Sequence, residues 1–251
     1  MEKYKTMKII SKLKIHPLYY ITALICILTG TFKSFIIVNF LIFIHEIGHV
    51  LAGMYYKWSI KCIHIFPFGG MSKFDVIINS PIKEELVVAL SGPLFQFLGY
   101  FILKSLSVDA YMYHYALLLF NLLPIIPLDG SKILSCILNF FLPFKNALKV
   151  LFYLSIIFII IFIIYSFLYN NFLLFLMIMV LIKENYKYYK NISYIFYKFL
   201  LERYFRQIIF NKRYLIYNQN IKLMKKDYNH LFKVEEGYLS EKAFLKKVLK
   251  I

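Results

Sequence analysis

Long apolar runs alternate with short basic segments along this chain of 251 residues. The runs are continuous rather than alternating, and several approach the roughly 20 residues a helix needs to cross a bilayer. The pattern predicts six spans. Four cover residues 15–32, 34–56, 86–103 and 110–128. The uncharged run 150–182 is too long for one helix and supplies two more, divided at Asn170–Asn171, which suits a tight turn. Gly92–Pro93 predicts a kink in the third span. Between spans two and three, KCIHIFPFGGMSKF reads as a short hairpin with its turn at Gly69–Gly70. It is amphipathic enough to sit at the membrane interface or re-enter the protein. Continuous runs argue against a strand-built barrel. The expected fold class is an all-α polytopic membrane protein: six transmembrane helices, a short membrane-associated β-hairpin and a small cytoplasmic tail. Residues 1–183 form the membrane domain and 184–251 a basic, aromatic tail.

Residues 184–217 of that tail interleave Tyr and Phe with Lys and Arg, which suits a helix lying along the membrane surface. Residues 218–251 form a charged module ending in LSEKAFLKKVL, too short for a core of its own.

Composition sharpens this picture. The chain is 61% hydrophobic, yet its net charge is +17, from 30 Lys and Arg against 13 Asp and Glu. Such an excess can bind nucleic acid, but its distribution fits membrane orientation better, so no nucleic-acid partner is expected. Lys3, Lys5, Lys8, Lys12 and Lys14 precede the first span, and Lys57, Lys61, Lys73 and Lys83 follow the second. Lys132, Lys145 and Lys149 follow the fourth, whereas the opposite side has only Lys33 and Lys104. By the positive-inside rule both termini are cytoplasmic, and the basic loops and tail meet anionic lipid. Cys26, Cys62 and Cys136 are scattered and form no disulfide framework. No small-residue cleavage site follows the first run, which reads as a retained helix rather than a signal peptide.

The second span carries chemistry. FLIFIHEIGHVLAG contains His45, Glu46 and His49, the pattern HExxH. On a helix both imidazoles lie on one face, one turn apart, and can bind one zinc ion. Glu46 beside them can act as general base on a zinc-bound water, whose pKa the metal brings to about 7. Ionisable groups inside a span are expensive and mark function by default. Gly48 and Gly53 thin the helix for close approach of a neighbour. A catalytic zinc needs a third protein ligand and an open position. Asp129, in FNLLPIIPLDG at the cytoplasmic end of span four, is at the matching depth. Pro124 and Pro127 break the helix there, and Asn121, two turns above Asp129, can bond an unwound peptide. Gln96 in span three either faces the site or holds helices together. His16, His64, His114 and His230 read as interfacial or loop histidines rather than ligands.

HEIGH at 45–49, FPFGG at 66–70, SGPLFQ at 91–96 and NLLPIIPLDG at 121–130 together resemble the site-2 protease family of intramembrane zinc metalloproteases. In six spans and the absence of an inserted PDZ domain, the chain looks most like the stage IV sporulation branch, which processes pro-sigma-K. The resemblance implies one zinc per chain, held by His45, His49 and Asp129, with Glu46 catalytic. Asn121 and Pro127 would help hold substrate, and Gly69, Gly70 and Gln96 complete the expected substrate-binding set. Where the family often has AGP followed by Asn, this chain has SGP with Gln96. The resemblance further implies a membrane-associated sigma-factor precursor as substrate, inhibitory membrane partners, and action in the membrane around the forespore. The tail resembles at most a reduced remnant of the ATP-binding CBS domain that usually ends this branch. Two other classes compete: a metal transporter using the same ligands, and an inactive scaffold. Transport favours repeat symmetry, and none is visible in the sequence. A scaffold has no use for Glu46.

Overall fold

The computed structural model describes residues 13–66, 69–104, 110–169, 172–206, 208, 210–217, 219–235 and 237–249. The chain is mostly helical and divides into two units. The first holds the described residues up to Val76, with Leu86–Leu123 and Leu128–Gly130. The second holds Ile77–Glu85, Pro124–Pro127 and the chain from Ser131 onward.

In the first unit, strand β1 (Leu13–Ile15) leads into helix α1 (Pro17–Leu28). Gly30 ends α1 with φ +72°, as Gly30 N–H bonds Ile27 O and Thr31 N–H bonds Cys26 O. That pairing is the glycine C-cap that satisfies the last carbonyls and reverses the chain. It leaves α1 with 12 residues, about 18 Å at 1.5 Å per residue, short of a bilayer core. Helix α2 (Phe32–Tyr55) follows with 24 residues and no proline. Strands β2 (Ser59–Phe66) and β3 (Gly69–Asp75) pair antiparallel, and β1 pairs parallel with β2, giving the order β1-β2-β3. Phe66 pairs with Gly69. The expected hairpin therefore exists, but its glycines open the strand β3 rather than form the turn.

Helix α3 (Ile82–Leu103) runs unbroken through Gly92–Pro93. Helix α4 (Ala110–Leu122) stops two residues before Pro124, which disfavours helical backbone at the residue preceding it. Ile37, Leu41 and Ile42 of α2 form a buried cluster with Leu103, Ala110 and Leu117.

The second unit contains helices α5 (Asp129–Phe141, from Ser131 onward), α6 (Phe144–Leu168) and α7 (Phe172–Phe205). The expected turn at Asn170–Asn171 lies outside the described residues. The amphipathic stretch after Lys183 is no separate helix, because α7 continues unbroken through 34 residues. Beyond it, strands β4 (Lys212–Ile216), β5 (Tyr228–Val234) and β6 (Gly237–Ser240) form a sheet in that order. Helix α8 (Glu241–Leu249) ends the described chain. The tail lacks a core of its own. Its Ile216, Met224, Phe232, Phe244 and Leu245 share one with Phe144, Phe196, Phe199 and Leu200 from α6 and α7.

Among the described residues, α2, α3 and α6 are long and apolar enough to cross a membrane. Of the remaining expected spans, α1 is cut at Gly30 and α4 before Pro124, while α7 reaches Lys183 after 11 apolar residues. Apolar runs record where the chain avoids charge, but glycine and proline decide how much of each run is one helix.

Candidate metal centre

On α2, His45 and His49 project from one face, their rings meeting edge-on with the two Nε2 atoms 3.1 Å apart. Asp129, the first residue of α5, brings Oδ2 to 2.8 Å from His45 Nε2 and 2.9 Å from His49 Nε2. The three side chains form the group that could hold one metal ion, and all are buried. Asp129 thus opens a new helix, and the six residues from Leu123 to Leu128 separate it from α4. Its spacing from Asn121 is set by this loop rather than by two helical turns.

The donor set fits a metal. Gln96 Oε1 and the Val88 carbonyl can only accept, so His45 and His49 each donate their Nδ1–H, over 3.0 Å and 2.7 Å respectively. That fixes the tautomer and leaves a lone pair on each Nε2. Two lone pairs and a carboxylate oxygen then point at one buried spot, an arrangement that is repulsive without a cation. Ligands of a tetrahedral zinc at about 2.0–2.1 Å would be about 3.3 Å apart. The observed 2.8–3.1 Å is close to that spacing.

Glycines let backbone approach this centre. A Cβ on Gly92 of α3 would collide with His49 Nε2 and lie 2.7 Å from His45 Nε2. A Cβ on Gly48 would strike the Ser91 carbonyl, so α2 and α3 touch backbone to backbone there. Gly53 instead faces the Phe74 ring.

Glu46, next to the ligands but not among them, is 7% exposed. The Ser72 hydroxyl donates to its Oε2. A Cβ on Gly70 would overlap its carboxyl group. Gly70, Ser72 and Phe74 alternate along β3 and so share one face, the face that lies against α2 at Glu46 and Gly53. Ser72 escaped the sequence reading, although counting by two from Gly70 would have reached it.

The remaining expected site residues divide. Asn121 is buried, its Oδ1 being 3.9 Å from where a Gly69 Cβ would sit. Gln96 uses both ends of its carboxamide within the protein, since Nε2 donates to the His114 carbonyl over 3.0 Å while Oε1 accepts from His45. Pro127 follows a cis Ile126–Pro127 peptide, two residues before Asp129. His64 sits in β2, opposite Met71 and Lys14, and is not part of the metal-holding group. His114 and His230 are fully buried rather than interfacial. A lone histidine in an apolar or tyrosine-rich segment carries no local signal of its burial.

Residues 33–114 match the model of peptidase family M50. The chain is 33% identical over 153 residues to the stage IV sporulation protein FB of Bacillus subtilis, covering 57% of this chain and 53% of that one. It is 32% identical over 118 residues to a zinc metalloprotease of Methanocaldococcus jannaschii, covering 42% of this chain and 34% of the relative. The chain therefore spans about half the length of the first relative and a third of the second. The solved site-2 protease from M. jannaschii has the same fold, with a TM-score of 0.58 at 22% identity, over 70% of this chain and 89% of that one. These matches bear out the resemblance to the site-2 proteases and to their stage IV sporulation branch.

Proposed function

We propose that this chain, similar over residues 33–114 to peptidase family M50, is an intramembrane zinc endopeptidase cutting a membrane-associated protein near the cytoplasmic face. The observation that carries this reading is the meeting of three buried ligands with a second, non-ligating acid, Glu46, beside them. His45, His49 and Asp129 would hold a zinc ion, which would supply Lewis acidity to water and to a carbonyl oxygen. Glu46 takes the proton of the attacking water and passes it to the leaving amine. The Ser72 hydroxyl donates to Glu46 and so holds its carboxyl group in place beside the ligands.

Substrate binding follows from β3. It is the last strand in the order β1-β2-β3, so its outer edge carries no strand among the described residues. An extended substrate can pair there through main-chain hydrogen bonds, beside Glu46. Gly69 and Gly70 keep that strand slim, and Asn121 and Pro127 complete the substrate contacts. Gln96 acts on substrate only through His45. Both termini face the cytoplasm by the distribution of lysines, and anionic lipid meets the basic loops and tail. The finer reading is release of a sporulation sigma factor from its membrane-tethered precursor, in the membrane around the forespore and under inhibitory membrane partners. It rests on the similarity to the stage IV sporulation protein FB.

Co-expression with a membrane-tethered sigma-factor precursor tests the reading. Wild type should cut it, and Glu46→Gln should not, while retaining about one zinc per chain. Cleavage by Glu46→Gln would refute the mechanism. Metal uptake by wild-type proteoliposomes, without cleavage, would favour transport.

A further inference from the structure

The third ligand follows a loop whose backbone is held by two side chains far along the chain. Residues 123–128 lie between α4 and α5 and lack regular helical hydrogen bonding. Ile125 and Ile126 are buried, so unpaired backbone groups there would be costly. Pro124 and Pro127 have no N–H to satisfy. Ile126 has both an N–H and a carbonyl, and both are taken. Its N–H donates to Ser155 Oγ over 3.0 Å. Its carbonyl accepts from Asn185 Nδ2 over 2.8 Å. Ser155 Oγ donates to Asn185 Oδ1 over 2.6 Å, closing the ring, and Asn185 Nδ2 also donates to the Leu181 carbonyl over 2.9 Å. Ser155 on α6 is 0% exposed and Asn185 on α7 is 1% exposed.

We propose that Ser155 and Asn185 are positioning residues of the metal centre. By pinning the Ile126 peptide they fix the segment Pro124–Pro127, from which the chain reaches Asp129 within two residues. Asp129 is then constrained from both directions, since Gly130 packs against the Leu122 and Leu123 carbonyls so tightly that a Cβ there would overlap them. The inference rests on the metal-centre reading above. It gives a role to α6 and α7, which lie outside residues 33–114.

The competing role is purely structural, with the pair only joining α6 to α7. Zinc affinity of the full chain in detergent, by chelator competition, separates the two. Metal-free melting and hydrogen exchange of the peptide covering 122–130 are measured alongside. Ser155→Ala and Asn185→Leu should each weaken zinc binding by about tenfold or more, in the range found for groups that orient metal ligands. Exchange over 122–130 should accelerate in the metal-free Ser155→Ala protein. Ser155→Thr, which keeps the hydroxyl, should hold zinc within about twofold of wild type, as expected if the bond and not the volume matters. Ser155→Ala with wild-type zinc affinity and exchange would overturn the proposal, whatever its melting temperature. A wild-type chain that binds no zinc would overturn the metal-centre reading, and this inference with it.

Discussion

At the scale of single residues, two glycines make opposite predictions about one centre. Gly70 lies against the carboxyl of Glu46, and Gly92 against the ligand nitrogens of His45 and His49. Gly70→Ala should therefore displace the base and spare the ligands. We expect cleavage to fall by about two to four orders of magnitude, the range of a lost general base, with zinc content unchanged. Gly92→Ala should push the imidazoles apart and lose both zinc and cleavage. Metal analysis of the two purified variants beside a cleavage assay checks this, and equal zinc loss in both would contradict the assignment. Ser72→Ala removes a hydrogen bond to a charged group, worth about 1.5–3 kcal/mol. It should lower the rate with zinc retained.

At the scale of elements, the tail sheet and α8 carry a buried polar network with its own pH dependence. His230 donates Nδ1–H to Glu241 over 2.8 Å and accepts the Lys225 N–H at Nε2 over 2.9 Å, so it is built in as the neutral ring. Arg203 pairs with Glu241 at 3.6 Å. Burial pushes His230 below its ordinary 6.5, helped by the Arg203 charge and opposed by Glu241. Burial pushes the Glu241 carboxyl upward, but the His230 hydrogen bond and the Arg203 charge outweigh it and hold the group below its ordinary 4.5. Both depressed values give the same sign. Above about 6.5 the stabilisation is complete; as pH falls through the folded value of His230, the unfolded tail binds the proton first and stability is lost. The Glu241 contribution is lost at lower pH still. Hydrogen exchange over β5 and α8, corrected for intrinsic rates, should therefore rise between pH 7.5 and pH 5.5. His230→Asn should flatten that rise; a wild type with no pH dependence would remove the basis for it.

At the scale of the whole molecule, zinc should stabilise the fold by binding the native state alone. With free zinc at about one hundred times its dissociation constant, the gain is about 2.7 kcal/mol. Chelation should lower the melting temperature of the wild type, and much less that of His49→Ala. Exchange on chelation should rise around residues 44–50 and 127–131, while the aromatic core around Phe199 and Phe232 stays protected. That core shares no side chain with the ligand set.

The local sequence determined the parts of this protein that repeat at short range. The apolar runs located the helices, and the four-residue spacing of His45 and His49 put two ligands on one face, because helical periodicity is a property of neighbours. The β-branched and aromatic residues around Gly69 and Gly70 announced the hairpin. Tertiary structure decided the rest. Asp129 meets His45 across 84 positions and His49 across 80, Ser72 reaches Glu46 across 26, and Asn185 reaches Ile126 across 59. The need for a third ligand at a matching depth named Asp129 as the candidate, but no local pattern set its distance from His45 and His49. Hydrogen bonds of that reach leave no period in the chain. They exist because backbone and charge removed from water must find partners, and only the folded chain determines which are within reach.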